Sequence, residues 1–207
     1  MLKTVADWIT AARFILSIVL FYFLWAAEVT NPAERSAIAW TCFVLFVVAA
    51  ITDLLDGAVA RATKLSEFGR VADPFVDKVL VVGTLVFLAA IPETRKYIQT
   101  WAVVTIVARE FFVTGVRGFA EAKGMAFPAD AFGKLKMVLQ CMSAGGGLLC
   151  LAGAGAKGDG GIISIFWEYV PEITVTVWWL TLAVTVGSGI SYFVRAWKFL
   201  STRNVSR

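Results

Sequence analysis

Four aspartates stand where so apolar a chain should place none. Asp53 and Asp56 fall near the end of one apolar run, Asp73 and Asp77 open the next, and a short segment, 62–72, joins them. Spacings of three and four residues put each pair on one helix face. A charged side chain at mid-bilayer costs about 2.5–3.5 kcal/mol even on the lenient insertion scale, so such groups mark function. Four facing carboxylates repel one another unless protonated or bridged by cations. Hard divalent ions answer this: Mg2+ or Mn2+ suits an all-oxygen set, and two ions beside a pyrophosphate make a known arrangement for phosphoryl transfer. The chain has no histidine, which excludes Ser-His-Asp and Cys-His nucleophiles and His-ligated metals.

One turn past the first pair, Gly57 and Ala60 continue the aspartate face. Two readings stand for these small residues: close helix packing, or room for a planar ligand against the backbone. Arg61 adds a permanent cation suited to phosphate.

Membrane helices must position these groups. Of the 207 residues 59% are hydrophobic and 16% charged, with a mean hydropathy of +0.77, against about 25% charge in soluble domains. Runs of about 20 apolar residues predict six spans, at roughly 8–27, 37–61, 73–92, 99–118, 133–153 and 173–194, in a single domain over 1–207. The first run reads as a span and not a cleavable leader. Asp73-Pro74 predicts the start of the third helix, and the short apolar segment IISIFWEYV reads as lying on the membrane surface. Basic residues crowd one side: Lys3, Arg61, Lys64, Arg70, Lys78, Arg117, Lys123, Lys134, Lys136 and the Arg195–Arg207 tail, against Arg35, Arg95, Lys96 and Lys157 on the other. The positive-inside rule then places both termini and the aspartates at the cytoplasmic face. Trp8, Trp25, Trp101, Trp178 and Trp197 read as interfacial anchors near span ends. No basic stripe with interleaved aromatics points to nucleic acid. Cys42, Cys141 and Cys150 form no disulfide or metal pattern and read as apolar filler.

The stretch D53-LL-D56-G57-AV-A60-R61-ATKLSEF-G69-RVA-D73-PFV-D77 resembles the signature of the CDP-alcohol phosphotransferases. One departure is visible: the segment 62–68 is shorter than the family's usual spacing. The resemblance implies an all-α membrane protein with six transmembrane helices, a polar active site at the cytoplasmic membrane surface, and a homodimer. It implies Asp53, Asp56 and Asp73 as metal ligands, and Asp77 as both a fourth ligand and the base that deprotonates the attacking alcohol. Gly57, Ala60, Arg61 and Gly69 would line the CDP site, with CMP as leaving group.

A second block, R109-E110-FFVTGV-R117 followed by G133-K134-L-K136-MVL-Q140, is similar to the phosphatidylglycerophosphate synthases, a branch of that family, as is the opening T10-AA-R13. Here Ala6-Asp7, Gly118 and Met137 replace residues common in that branch. The implied reaction moves the phosphatidyl group of CDP-diacylglycerol to glycerol 3-phosphate in the inner (cytoplasmic) membrane. Arg109, Arg117 and one of Lys134 and Lys136 would clamp the acceptor phosphate, since the two lysines lie about 200° apart around a helix. Glu110, seven residues before Arg117, would orient it. Topology alone accounts for cations at span ends but not for Arg109, deep inside its span. Inositol phosphate or phosphatidylglycerol as acceptor keeps the same chemistry. A small cation carrier is a reading of another class.

Overall fold

The computed structural model describes residues 5–59, 67–122, 131–155 and 162–204, and their regular structure is all helical. Six long helices, α1 (Val5–Val29), α2 (Pro32–Val59), α3 (Glu67–Ala90), α5 (Thr100–Ala122), α6 (Ala131–Ala152) and α7 (Ile162–Asn204), are joined by one short α-helix, α4 (Pro92–Arg95), between α3 and α5. Proline opens α2 at the position where a missing N–H costs nothing, and the Asn31 carbonyl accepts from the amides of Glu34 and Arg35.

Arginines close the end of the bundle that holds the α1–α2 turn. Arg35 donates to the carbonyls of Glu28 (3.3 Å), in the last turn of α1, and Thr30 (2.8 Å), just past it, and pairs with Glu93 on α4. Arg95 donates likewise to Ala89 (3.1 Å) and Ala90 (2.9 Å), capping α3. Helix C-termini leave such carbonyls without partners, and buried ones need donors. Arg35 and Arg95 are thus fixed by cap chemistry as well as by topology.

Apolar side chains occupy both the inside and the outside of the bundle. Leu20, Leu24, Leu85, Leu88, Ile106 and Leu148 are fully buried, while Ile15, Tyr22, Val44, Val104, Phe111 and Ile190 are exposed on the flanks. Among the described residues four helices are long and apolar enough to cross a membrane: Trp8–Val29, Glu34–Thr52, Leu135–Ala152 and Ile165–Val194. In α3 only the shorter stretch Lys78–Ala90 is apolar, and α5 carries Arg109, Glu110 and Arg117. The charged residues of these two helices lower their hydropathy.

Three expectations are corrected. The third helix starts at Glu67, so Asp73-Pro74 lies inside it; Pro74 contributes no N–H, and the helix runs through at the loss of one backbone bond. The IISIFWEYV segment is the first part of α7, which continues through Pro171 into the last span as one helix of 43 residues. Trp178 is buried, its indole N–H donating to Gln99 Oε1 at 2.8 Å. Trp8, Trp25 and Trp101 are exposed as expected of anchors, whereas the side chain of Trp197 lies outside the described residues.

α6 packs on α2, α3 and α7 through its small residues. A Cβ on Gly147 would stand 2.7 Å from Ile98 Cδ1 and Leu88 Cδ1, and one on Gly146 2.6 Å from Thr174 Oγ1. Small residues give membrane helices the approach that a hydrophobic drive cannot supply between lipid-like surfaces. Gly147→Val should therefore lower stability by about 1–3 kcal/mol through overpacking, read as a fall in melting temperature in detergent. Gly115→Val, where nothing lies within 4 Å of the added Cβ, should leave that temperature close to the wild-type value.

Candidate active site

Antiparallel helices bring the candidate residues to one end of the bundle. α2 leads away from the Arg35–Glu93 end and finishes with Asp53, Asp56 and Gly57 in its last two turns; α3 runs back toward that end, with Gly69, Asp73 and Asp77 in its first half. The side chains of these residues, and of Lys134 on α6, lie outside the described residues, as do Ala60 and Arg61 altogether. Among the described residues no group of three or more His, Cys, Asp or Glu could hold a metal ion. The backbone carries Asp53 and Asp56 on α2 and Asp73 and Asp77 on α3, and oxygen donors of this kind suit a hard divalent ion.

On the facing helices the geometry is explicit. α5 climbs toward the aspartate end carrying Arg109, Glu110 and Arg117; α6 starts there with Lys136, and α7 ends there with Ser188 and Tyr192. Glu110 Oε1 accepts from Arg109 Nη1 at 3.2 Å and from Lys136 Nζ. All three residues are buried, at 9%, 7% and 8% exposure for Arg109, Glu110 and Lys136. Buried charge is tolerated only when paired, and here one carboxylate holds two cations from two helices. Arg109 Nη2 also donates to Ser188 Oγ at 2.9 Å, which ties in α7. Arg117 Nη2 donates to the Tyr192 hydroxyl at 3.0 Å. The cluster therefore has more positive than negative charge and favours an anion.

The expected partnership of Glu110 with Arg117 is replaced by one with Arg109 and Lys136. Seven helical residues rise about 10.5 Å, whereas Lys136 reaches Glu110 directly from α6. Lys136 is thus one lysine inside the cluster. Gln140, one turn further along α6, is buried as well, and so are Thr10 and Arg13 on α1. Lys78, next to Asp77 on α3, donates to Thr114 Oγ1 of α5 at 2.6 Å. An apolar cavity of about 460 Å3 lies between α1, α3 and α5, walled in part by Phe21, Val82 and Phe111. Glu110 and Lys78 also line it, so it adjoins the charged cluster. Sequence reasoning missed Ser188 and Tyr192; their signal was a pair of polar residues four apart in an apolar span.

Removing Glu110 would leave Arg109 and Lys136 facing each other without a counter-charge. Glu110→Ala should cost about 3–5 kcal/mol, the scale for breaking a buried pair, and should melt well below wild type. Lys136→Met, which leaves Glu110 paired to Arg109, should melt between the two.

Residues 3–187 match the family described as CDP-alcohol phosphatidyltransferase. A CDP-diacylglycerol–glycerol-3-phosphate 3-phosphatidyltransferase of Rickettsia typhi is 32% identical over 196 residues, covering 93% of this chain and 96% of that protein. One of Bacillus subtilis is 32% identical over 164 residues, covering 78% and 76%. A probable phosphatidylglycerophosphate synthase of Mycobacterium tuberculosis is 29% identical over 196 residues, covering 94% and 82%.

Proposed function

The chain belongs to the CDP-alcohol phosphatidyltransferase family, and from that premise we propose that it transfers the phosphatidyl group of CDP-diacylglycerol to glycerol 3-phosphate, releasing CMP. The observation that carries the acceptor is the buried, net positive cluster of Arg109, Lys136 and Glu110 with Arg117 beside it. Such a cluster selects a phosphorylated alcohol over a neutral or zwitterionic one. The names of the relatives agree.

In this reading the glycerol 3-phosphate hydroxyl attacks the phosphorus bound to diacylglycerol, the bond to the CMP oxygen breaks, and Asp77 takes the hydroxyl proton. Asp53, Asp56, Asp73 and Asp77 would hold two Mg2+ or Mn2+ ions, which when bound would supply the charge that neutralises the pyrophosphate and the departing CMP. Gly57, Ala60, Arg61 and Gly69 receive the CDP moiety. Arg109, Arg117 and Lys136 fix the acceptor phosphate in line with the hydroxyl it carries.

The topology belongs to the same reading: six spans, both termini cytoplasmic, the site at the cytoplasmic surface of the inner membrane, and a homodimer. α3 and α5 cross the bilayer because their polar groups meet partners: Arg109 and Glu110 bond each other inside the bundle, and Lys78 bonds Thr114 of the neighbouring helix at its surface. Inositol phosphate or phosphatidylglycerol would also suit a positive cluster, and the similarity to glycerol-3-phosphate enzymes ranks them second. Family membership favours group transfer over a cation carrier.

Asp77→Asn tests the chemistry. In liposomes, CMP release should fall about a hundred- to ten-thousandfold, the usual contribution of a general base, while Mg2+ still raises the melting temperature in part. Retained CMP release in the variant would overturn the role of Asp77. A wild-type protein that moves cations across the liposome wall without releasing CMP would restore the carrier.

A further inference from the structure

Tyr192 touches both acceptor arginines at once. Its hydroxyl accepts from Arg117 Nη2 at 3.0 Å, and its ring lies under the Arg109 guanidinium, 5.8 Å from ring centroid to Cζ. It is 3% exposed, so neither contact is diluted by water. Ser188, one turn earlier on α7, holds the other side of Arg109: its hydroxyl proton goes to the Thr185 carbonyl at 2.9 Å, which turns a lone pair toward Arg109 Nη2. Between them, Gly189 leaves room for the Arg109 stem, since a Cβ there would stand 3.0 Å from Arg109 Cγ. This face of α7 is shaped around arginines that belong to α5.

The arginines also keep donors in reserve. Arg109 Nε and Arg117 Nε are buried and have no hydrogen-bond partner among the described residues. A buried N–H without an acceptor is costly, and two of them on cations held by one tyrosine fit an oxyanion that arrives as ligand. We propose that Tyr192 is a positioning residue that sets Arg109 and Arg117 as one unit for the phosphate of the acceptor. Its hydroxyl fixes Arg117 and its ring fixes Arg109, while Ser188 restrains Arg109 from the opposite side. The proposal rests on the acceptor being a phosphorylated alcohol, as argued above.

Two substitutions separate the two contacts. Tyr192→Phe keeps the ring and removes the hydroxyl. It should raise KM for glycerol 3-phosphate about tenfold, the scale of one hydrogen bond to a charged group. The KM for CDP-diacylglycerol and kcat should change less than about twofold, because Tyr192 holds groups that bind only the acceptor. Tyr192→Leu removes both contacts and should raise the acceptor KM further. Glycerol 3-phosphate should raise the melting temperature of the wild type and not of Tyr192→Leu, while the Mg2+ and CDP effect persists in both. An acceptor KM unchanged in both variants, or a rise in both KM values together with a fall in kcat and melting temperature, would overturn the proposal. Wild-type CMP release that ignores glycerol 3-phosphate would sink the acceptor reading and this inference together. Use of glycerol 3-phosphate by the wild type with an unchanged KM in both variants would sink the inference alone.

Discussion

A carboxylate held between two cations in the interior of a helical bundle cannot be moved without leaving charge unpaired. Glu110 accepts from Arg109 of its own helix and from Lys136 of α6, and Arg109 reaches on to Ser188 of α7. These contacts fix the rotation and height of three helices against one another at the end where the aspartates stand. Buried ion pairs contribute little net stability because desolvation offsets most of the attraction. Their effect here is specificity: if α5 turned by one residue, or about 100°, Lys136 would lose Glu110 and Arg109 would lose Ser188.

The rest of the bundle supports that constraint from the opposite end. There Arg35 and Arg95 cap the ends of α1 and α3, and Arg35 joins Glu93. Between the two polar ends lies an apolar core from Leu20 to Trp178, with glycines in α6 where Leu88, Ile98 and Thr174 come close. A bilayer cannot drive such packing by hydrophobicity, because lipid tails are as apolar as leucine. Fit between small and large side chains, with polar locks at each end, does that work instead. A rigid frame then presents cations from α5 and α6 toward the end at which α2 and α3 carry their aspartates.

Much of this arrangement was legible in the sequence, and the limits have physical causes. Arg109 stood out because charge in an apolar run is costly wherever it occurs; the aspartate spacings point to a carboxylate site on the same ground, with those side chains outside the described residues. The rotation of α6 was not legible: periodicity allows one of Lys134 and Lys136 inward, and only the packed structure places Lys136 on Glu110. Nor was the partner of Glu110, because helical spacing finds neighbours along one helix and not across two. Trp178 read as an anchor from its place near a span end, yet a single hydrogen bond to Gln99 lets it be buried. Pro74 marked a helix start by local rule, and the helix begins at Glu67 regardless, since one lost backbone bond is small beside the packing of a whole helix. Tyr192 was silent because an aromatic residue in a span is ordinary until two arginines are seen against it.

The central claim is that a positive cluster seats a phosphorylated alcohol beside a carboxylate site that releases CMP. It is tested most directly by supplying the purified protein in liposomes with CDP-diacylglycerol, Mg2+ and glycerol 3-phosphate labelled in its phosphate. The account predicts that label enters the lipid phase in one-to-one proportion with the CMP released. CMP released without labelled lipid, or only when an unphosphorylated alcohol replaces glycerol 3-phosphate, would contradict it.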